Sequence, residues 1–74
     1  MNFKQCFFRI YDKKIASGEI SFSKTGISKD AFTALCTEPG FVFDRELIDK
    51  LKDTMKLTDE QYENLIRTAN GEEI

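Results

Sequence analysis

Residues 25–35 read TGISKDAFTAL and carry the clearest structural signal in the chain. Gly26 suits a turn, because glycine adopts positive φ without a steric cost. Ser28 suits the N-cap of a helix, since its hydroxyl can accept a hydrogen bond from a free backbone N–H. Ile27 before this cap and Phe32 four residues after it are spaced to pack on each other. The stretch therefore predicts a turn followed directly by a helix.

Two further helix starts have the same signature. Asp44 and Thr58 are each preceded by an apolar residue and followed, four positions later, by another. Gln61 lies three residues after Thr58 and completes a capping box, in which side chain and backbone satisfy each other reciprocally. The pattern predicts one helix from Asp44 to near Lys56 and a last helix over about residues 59–70.

A first helix is predicted near the N-terminus. Apolar residues recur at helical spacing from Phe3 to Ile15, as on one stripe of an amphipathic helix. This spacing predicts a helix over about residues 2–16. Ser17 and Gly18 end it, since glycine accepts the left-handed conformation that often closes a helix.

The segments between these helices are less sharply defined. The helix that starts at Ser28 is expected to end near Cys36, because residues 37–40 read TEPG and proline cannot continue a helix. Residues 19–25 fit a short helix, one turn of 3₁₀ helix or a loop, and we favour the short helix. Residues 41–43 read FVF; with no second strand to pair with, they are expected to fill the core.

These elements predict an all-α fold of four or five short helices in a single domain over residues 1–74. The seven Phe residues are expected to form its core rather than an open stacking platform for single strands. Residues 71–74 are expected to fray. Cys6 and Cys36 are expected to be buried reduced thiols, although a disulfide between them stays open as an alternative.

Length and composition argue against several classes of protein. A chain of 74 residues makes one small domain, and 41% hydrophobic residues is too apolar for a disordered tail. No apolar run approaches the ~20 residues that a bilayer span needs, and no secretory signal is visible, so we expect a cytoplasmic protein without a membrane partner. Two Cys and no His leave no ordinary zinc site. Without His or a Gly-rich phosphate loop, we expect no catalytic residues, cofactor or small-molecule substrate.

Charge is unevenly distributed along the chain. Residues 1–29 hold six basic and two acidic residues, a net charge of +4. Residues 30–74 hold five basic and eleven acidic residues, a net charge of −6. Such a chain can present a basic face to a polyanion although its total charge is −2. A chance partition of surface charge would give the same numbers.

The stretch from Thr25 to Leu35 resembles the centre of a helix-turn-helix, in which a glycine turn leads into a helix that packs on the preceding one. The turn glycine, the aliphatic residue after it and the two packing residues are Gly26, Ile27, Phe32 and Leu35. Residues 44–62 resemble the fourth and fifth helices of Cro-like (XRE-type) repressor domains, with an alternating acidic and basic helix and a Leu-Thr-acidic-acidic junction. The resemblance covers about residues 18–70. It implies a transcriptional regulator whose partner is double-stranded DNA.

The resemblance also implies roles for residues on and around the second helix of the motif. Base edges would be read by Lys29, Thr33 and Ala34. Phosphates would be contacted by Lys13, Lys14, Ser23, Lys24, Thr25 and Ser28. Operator reading in this family usually needs a homodimer, whose contact surface would come from Phe41, Val42, Leu57 or the last helix.

A second interpretation is a protein–protein interaction module that keeps the helices but does not bind DNA. An antirepressor or an inhibitor from a mobile element would be of this kind, with the acidic C-terminal half facing a basic partner. Asp30 favours this interpretation, because a carboxylate next to Lys29 repels phosphate. The two interpretations differ in salt dependence, since only a DNA complex loses duplex affinity steeply as salt rises.

Overall fold

The protein folds into five α-helices without a strand, which confirms the predicted all-α class. The computed structural model describes residues 1–74. The helices are α1 (Phe3–Ser17), α2 (Phe22–Thr25), α3 (Lys29–Thr37), α4 (Arg45–Thr54) and α5 (Asp59–Ala69). The short helix favoured for residues 19–25 is α2.

All three predicted N-caps are present. The side-chain oxygens of Ser28, Asp44 and Thr58 accept hydrogen bonds from the backbone N–H three residues later, at 3.0, 2.8 and 3.1 Å. Gln61 completes the predicted capping box by accepting from the backbone N–H of Thr58. Asn2 forms another capping box with the third residue of α1. Each cap satisfies an N–H that has no partner within its helix.

The core lies where α1 and α4 both pack on α5, while α2 packs on α4. Its fully buried side chains are Phe7, Leu35, Ile48, Leu51, Met55 and Leu65. Phe43 is also buried and sets its ring edge against Phe7, with 5.3 Å between the ring centroids. Since residues 41–43 pair with no strand, this confirms that the segment contributes to the core.

Two predictions about burial are wrong. Ile15 is 37% exposed, and Lys14 is buried in its place on the last turn of α1. Cys36 is exposed, whereas Cys6 is buried, and both thiols are free. Burial raises the pKa of the Cys6 thiol, which keeps it protonated. Cys6 and Cys36 form no disulfide with each other.

The C-terminal residues are exposed and make a few contacts with the rest of the chain. Arg67 pairs with Glu72 at 3.3 Å, and its carbonyl accepts from the backbone N–H of Glu72. The backbone N–H of Ile74 donates to the carbonyl of Met1 at 3.1 Å. The fold therefore brings the two chain ends together, and the fraying of residues 71–74 stays a prediction.

None of the five helices combines the length and apolar character that crossing a membrane requires.

A polar network joins α4 to α5 at the surface. The Asp49 carboxylate accepts a hydrogen bond from the Tyr62 hydroxyl and another from Arg45 Nε. The pKa of Asp49 lies below its ordinary value, chiefly because the hydrogen bond from Tyr62 favours the ionised form. Lys52 Nζ lies 4.9 Å from the centre of the Tyr62 ring and adds a cation–π contact.

The Asp49 network predicts a pH-dependent stability. A carboxylate whose pKa is lower in the folded state than its unfolded value of about 3.9 stabilises the fold fully above that value. This contribution is lost as the pH falls through the folded-state pKa. We expect Asp49→Asn to lower the thermal midpoint at pH 7, and the difference from the wild type to narrow towards pH 2.

The measurement is thermal unfolding by circular dichroism across this pH range. Glu63→Gln is the matched control, because Glu63 is exposed on α5 and has no hydrogen-bond or ion-pair partner. A difference between Asp49→Asn and the wild type that stays constant down to pH 2 would contradict the role given to Asp49.

Candidate nucleic-acid interface

The bend between α2 and α3 is built from a glycine and a threonine. Gly26 closes α2 with φ +77°, a left-handed conformation that disfavours other residues. The Thr25 hydroxyl donates to the carbonyl of Phe22 at 2.7 Å and accepts from the backbone N–H of Ile27 at 3.2 Å. Together they hold the end of one helix against the start of the next.

Thr25 consequently has no accessible side chain. It is fully buried, and both hydrogen-bonding capacities of its hydroxyl are used within the turn. The expectation that its side chain contacts phosphate is corrected on this ground. Ser23 and Lys24, predicted for the same role, are exposed on α2.

α3 lies at the surface and is held by few side chains. Among its nine residues only Leu35 is buried. Phe32 is half-buried and packs its ring against Phe8, Tyr11 and Phe22, at centroid distances of 5.7, 5.6 and 5.0 Å. This anchoring from one side leaves the opposite face of α3 in solvent.

The predicted base-reading residues lie on α3 as expected from their positions. Lys29 and Thr33 are exposed, and Ala34 is half-buried. Neither Lys29 Nζ nor the Thr33 hydroxyl has a partner among the salt bridges and side-chain hydrogen bonds of the protein. Ser28 is exposed, but its hydroxyl oxygen already accepts from Ala31 as the cap of α3.

Asp30 stands beside these residues in the first turn of α3 and is exposed. An acid at this position is favourable for the helix, because the N-terminal end of a helix carries partial positive charge. The same carboxylate repels phosphate, so the face mixes one cation with one anion.

The two lysines predicted to add charge from α1 differ in their surroundings. Lys13 is exposed and unpaired. The Lys14 ammonium donates to the carbonyl of Lys56 at 3.0 Å and to the Glu19 carboxylate at 3.3 Å. Its side chain is 11% exposed. Lys14 therefore joins the end of α1 to the α4–α5 junction, and it is not free to contact phosphate.

Lys50 is a basic residue near the turn that sequence reasoning did not place there. It is exposed on α4, yet a Cβ added to Gly26 would stand 3.0 Å from Lys50 Cε and 3.2 Å from its Nζ. No local pattern in the sequence indicates this approach, because it joins residues that only the packing of α2 on α4 brings together.

The surface suggested for a homodimer is only partly available. Leu57 is buried in the core, which corrects its proposed place in a dimer contact. Val42 is 37% exposed and Phe41 half-buried. Both line an open cleft of about 530 Å³, which is completed by the end of α3 with the turn after it, the start of α1 and the C-terminal residues. None of the predicted DNA-contacting residues lines this cleft.

No protein-family model matches the chain, and neither a curated protein nor a solved structure is significantly similar to it. A functional assignment therefore depends on the chain's own residues and on the geometry of α2 and α3.

The contrast between Lys13 and Lys14 gives a stability prediction. We expect Lys14→Ala to lower the free energy of unfolding by about 1 kcal/mol or more, through the lost charge-assisted hydrogen bonds and the lost packing of the buried side-chain stem. Lys13→Ala is the matched control and should change it by less than about 0.5 kcal/mol, because the side chain is exposed. Urea unfolding followed by circular dichroism measures both. Equal losses in the two variants would show that Lys14 has no structural role.

Proposed function

We propose that the protein binds double-stranded DNA in a sequence-specific manner and acts as a transcriptional regulator. The observation that carries the proposal is the position of α3. It follows a left-handed glycine bend, is attached to the core along one side, and keeps Lys29 and Thr33 unpaired on its exposed face. A helix with an exposed polar face after such a turn is the element that helix-turn-helix proteins insert into the major groove.

The side chains on this face suit base recognition. A lysine ammonium donates to the O6 and N7 acceptors of guanine, and a threonine hydroxyl can donate or accept. The methyl group of Ala34 suits contact with the methyl of thymine. In this proposal Lys29, Thr33 and Ala34 read base edges. Asp30 supports the start of α3 and accepts from cytosine N4 where the sequence allows it.

Phosphate contacts would come from residues beside the turn and from α1. Ser23, Lys24 and Ser28 flank the bend, and Lys13 adds charge from the last turns of α1; all four are exposed. Lys14 and Thr25 are left out because their side chains are occupied within the fold. The positive charge of residues 1–29 supports the approach of a polyanion.

Two features of the proposal concern assembly and location. A single small domain with one basic residue on its reading helix binds weakly, and a homodimer that engages two half-sites raises the affinity because binding to the second half-site becomes intramolecular. Phe41 and Val42 offer partly exposed apolar surface for such a contact. We propose a regulator of the bacterial or phage type, which acts in the cytoplasm because the DNA lies there.

The second candidate function is binding to a basic protein. It is favoured by the exposed carboxylates of α4 and α5, of which Glu46, Asp53, Glu60 and Glu63 form no ion pair. An antirepressor or inhibitor would use this acidic surface in place of the α3 face. Its complex would form without duplex DNA.

The test of DNA binding uses duplexes enriched from a random-sequence library by the wild-type protein. We expect wild-type affinity for the enriched duplex to fall steeply between about 50 and 200 mM salt, because phosphate contacts release counterions. Lys29→Ala/Thr33→Ala should remove the preference for the enriched duplex over a mixed-sequence duplex. Its thermal midpoint should stay unchanged, since both side chains are exposed. Fluorescence anisotropy measures the binding.

Lys56→Asn is the control for charge. It removes one positive charge from the junction between α4 and α5, outside α2 and α3, and asparagine tolerates the left-handed backbone of residue 56, whose φ is +52°. This variant should keep the preference for the enriched duplex. If the wild-type protein binds no duplex at low salt, the DNA proposal fails and the acidic surface becomes the better candidate. If Lys29→Ala/Thr33→Ala unfolds, these residues are structural.

A further inference from the structure

The side chain of Lys50 extends from α4 across the turn between α2 and α3. Its Cε and Nζ lie within 3.2 Å of the position that a Gly26 Cβ would occupy. The positive φ of Gly26 is what favours glycine here, and the absence of a Cβ also lets the lysine side chain lie close to the turn. Lys50 would have to move if a side chain were introduced at residue 26.

Lys50 differs from the other basic residues of α4 in having no acidic partner. Arg45 pairs with Asp49 at 3.2 Å, and Lys52 pairs with Asp59 at 3.3 Å. Glu46 and Asp53 lie four residues before and three residues after Lys50, at spacings that allow ion pairs on a helix. The Lys50 ammonium pairs with neither of them and lies over the turn instead.

Two more unpaired lysines lie close to the same turn in the chain. Lys24 lies two residues before Gly26 and Lys29 three residues after it, so their Cα atoms are within about 8 and 11 Å of its Cα. Both are exposed and form no ion pair. Three unpaired lysines from three helices therefore lie near one bend of the chain, and their combined positive charge attracts an anion that carries several charges.

We infer that Lys50 is a further phosphate-contacting residue of the DNA-binding surface, and that it reaches the DNA backbone from α4 across the α2–α3 turn. This inference rests on the proposed function. The contact is independent of base sequence, because a lysine ammonium on a phosphate carries no information about the base. It also connects DNA binding to the packing of α2 on α4, which brings Lys50 close to Gly26.

The test measures the salt dependence of binding to a fluorescein-labelled mixed-sequence duplex of about three helical turns. Loss of one phosphate contact reduces the slope of log K against log salt by about 0.9. We expect Lys50→Gln to show this reduction and to weaken binding to the mixed-sequence and the enriched duplex by the same factor. Lys50→Arg keeps a cation at this position and should retain the wild-type slope. Lys56→Asn, which removes a charge elsewhere on the chain, should also retain it.

The outcomes separate the inference from the proposed function. If the wild-type protein binds duplex and Lys50→Gln has the wild-type slope, the inference is overturned and the proposed function stands. If Lys50→Arg loses as much of the slope as Lys50→Gln, Lys50 acts through packing, which also overturns the inference. If the wild-type protein binds no duplex at low salt, the proposed function fails and the inference fails with it. Thermal midpoints of the three variants equal to that of the wild type confirm that each comparison concerns folded protein.

Discussion

The arrangement of the helices depends on the packing of the buried Phe7 ring. This ring is fully enclosed and packs against Phe3, Phe8, Tyr11 and Phe43. Phe43 brings the segment before α4 into the core. Phe8 and Tyr11 extend the ring contacts outward to α3, where Phe32 meets both. One aromatic cluster therefore holds the centre of the protein and attaches the helix on which the functional proposal depends.

This mode of attachment explains why α3 can be both fixed and exposed. Large aromatic rings bury much area through few residues, so α3 is held mainly by Phe32 and Leu35. The capped start at Ser28 and the hydrogen-bonded turn at Thr25 set its direction. The polar face of α3 does not pack against the rest of the protein. It is therefore available to bind another molecule.

The basic residues of the chain divide into two groups once their contacts are known. One group is paired with carboxylates and consists of Lys14, Arg45, Lys52 and Arg67. Lys14 is also buried. The other seven form no ion pair, and three of these, Lys24, Lys29 and Lys50, lie near the α2–α3 turn. The basic surface at this turn is thus smaller than the net charge of residues 1–29 indicates. Asp30 lies within that surface, which is why the choice between DNA and a protein partner depends on binding measurements.

The local interactions in this chain could be predicted from its sequence. The three caps and the bend at Gly26 each involve residues no more than four positions apart, so residue type and spacing were sufficient to predict them. Three other features could not be predicted from the sequence: the burial of Lys14, the exposure of Cys36 and the approach of Lys50 to Gly26. Lys14 bonds to Lys56, which is 42 positions away, and Lys50 approaches Gly26, which is 24 positions away. The exposure of Cys36 depends on which side of α3 meets the other helices. Spacing along a helix shows which residues share a face. Which of these residues are buried depends on how the neighbouring helices pack, and the packing follows from the tertiary structure.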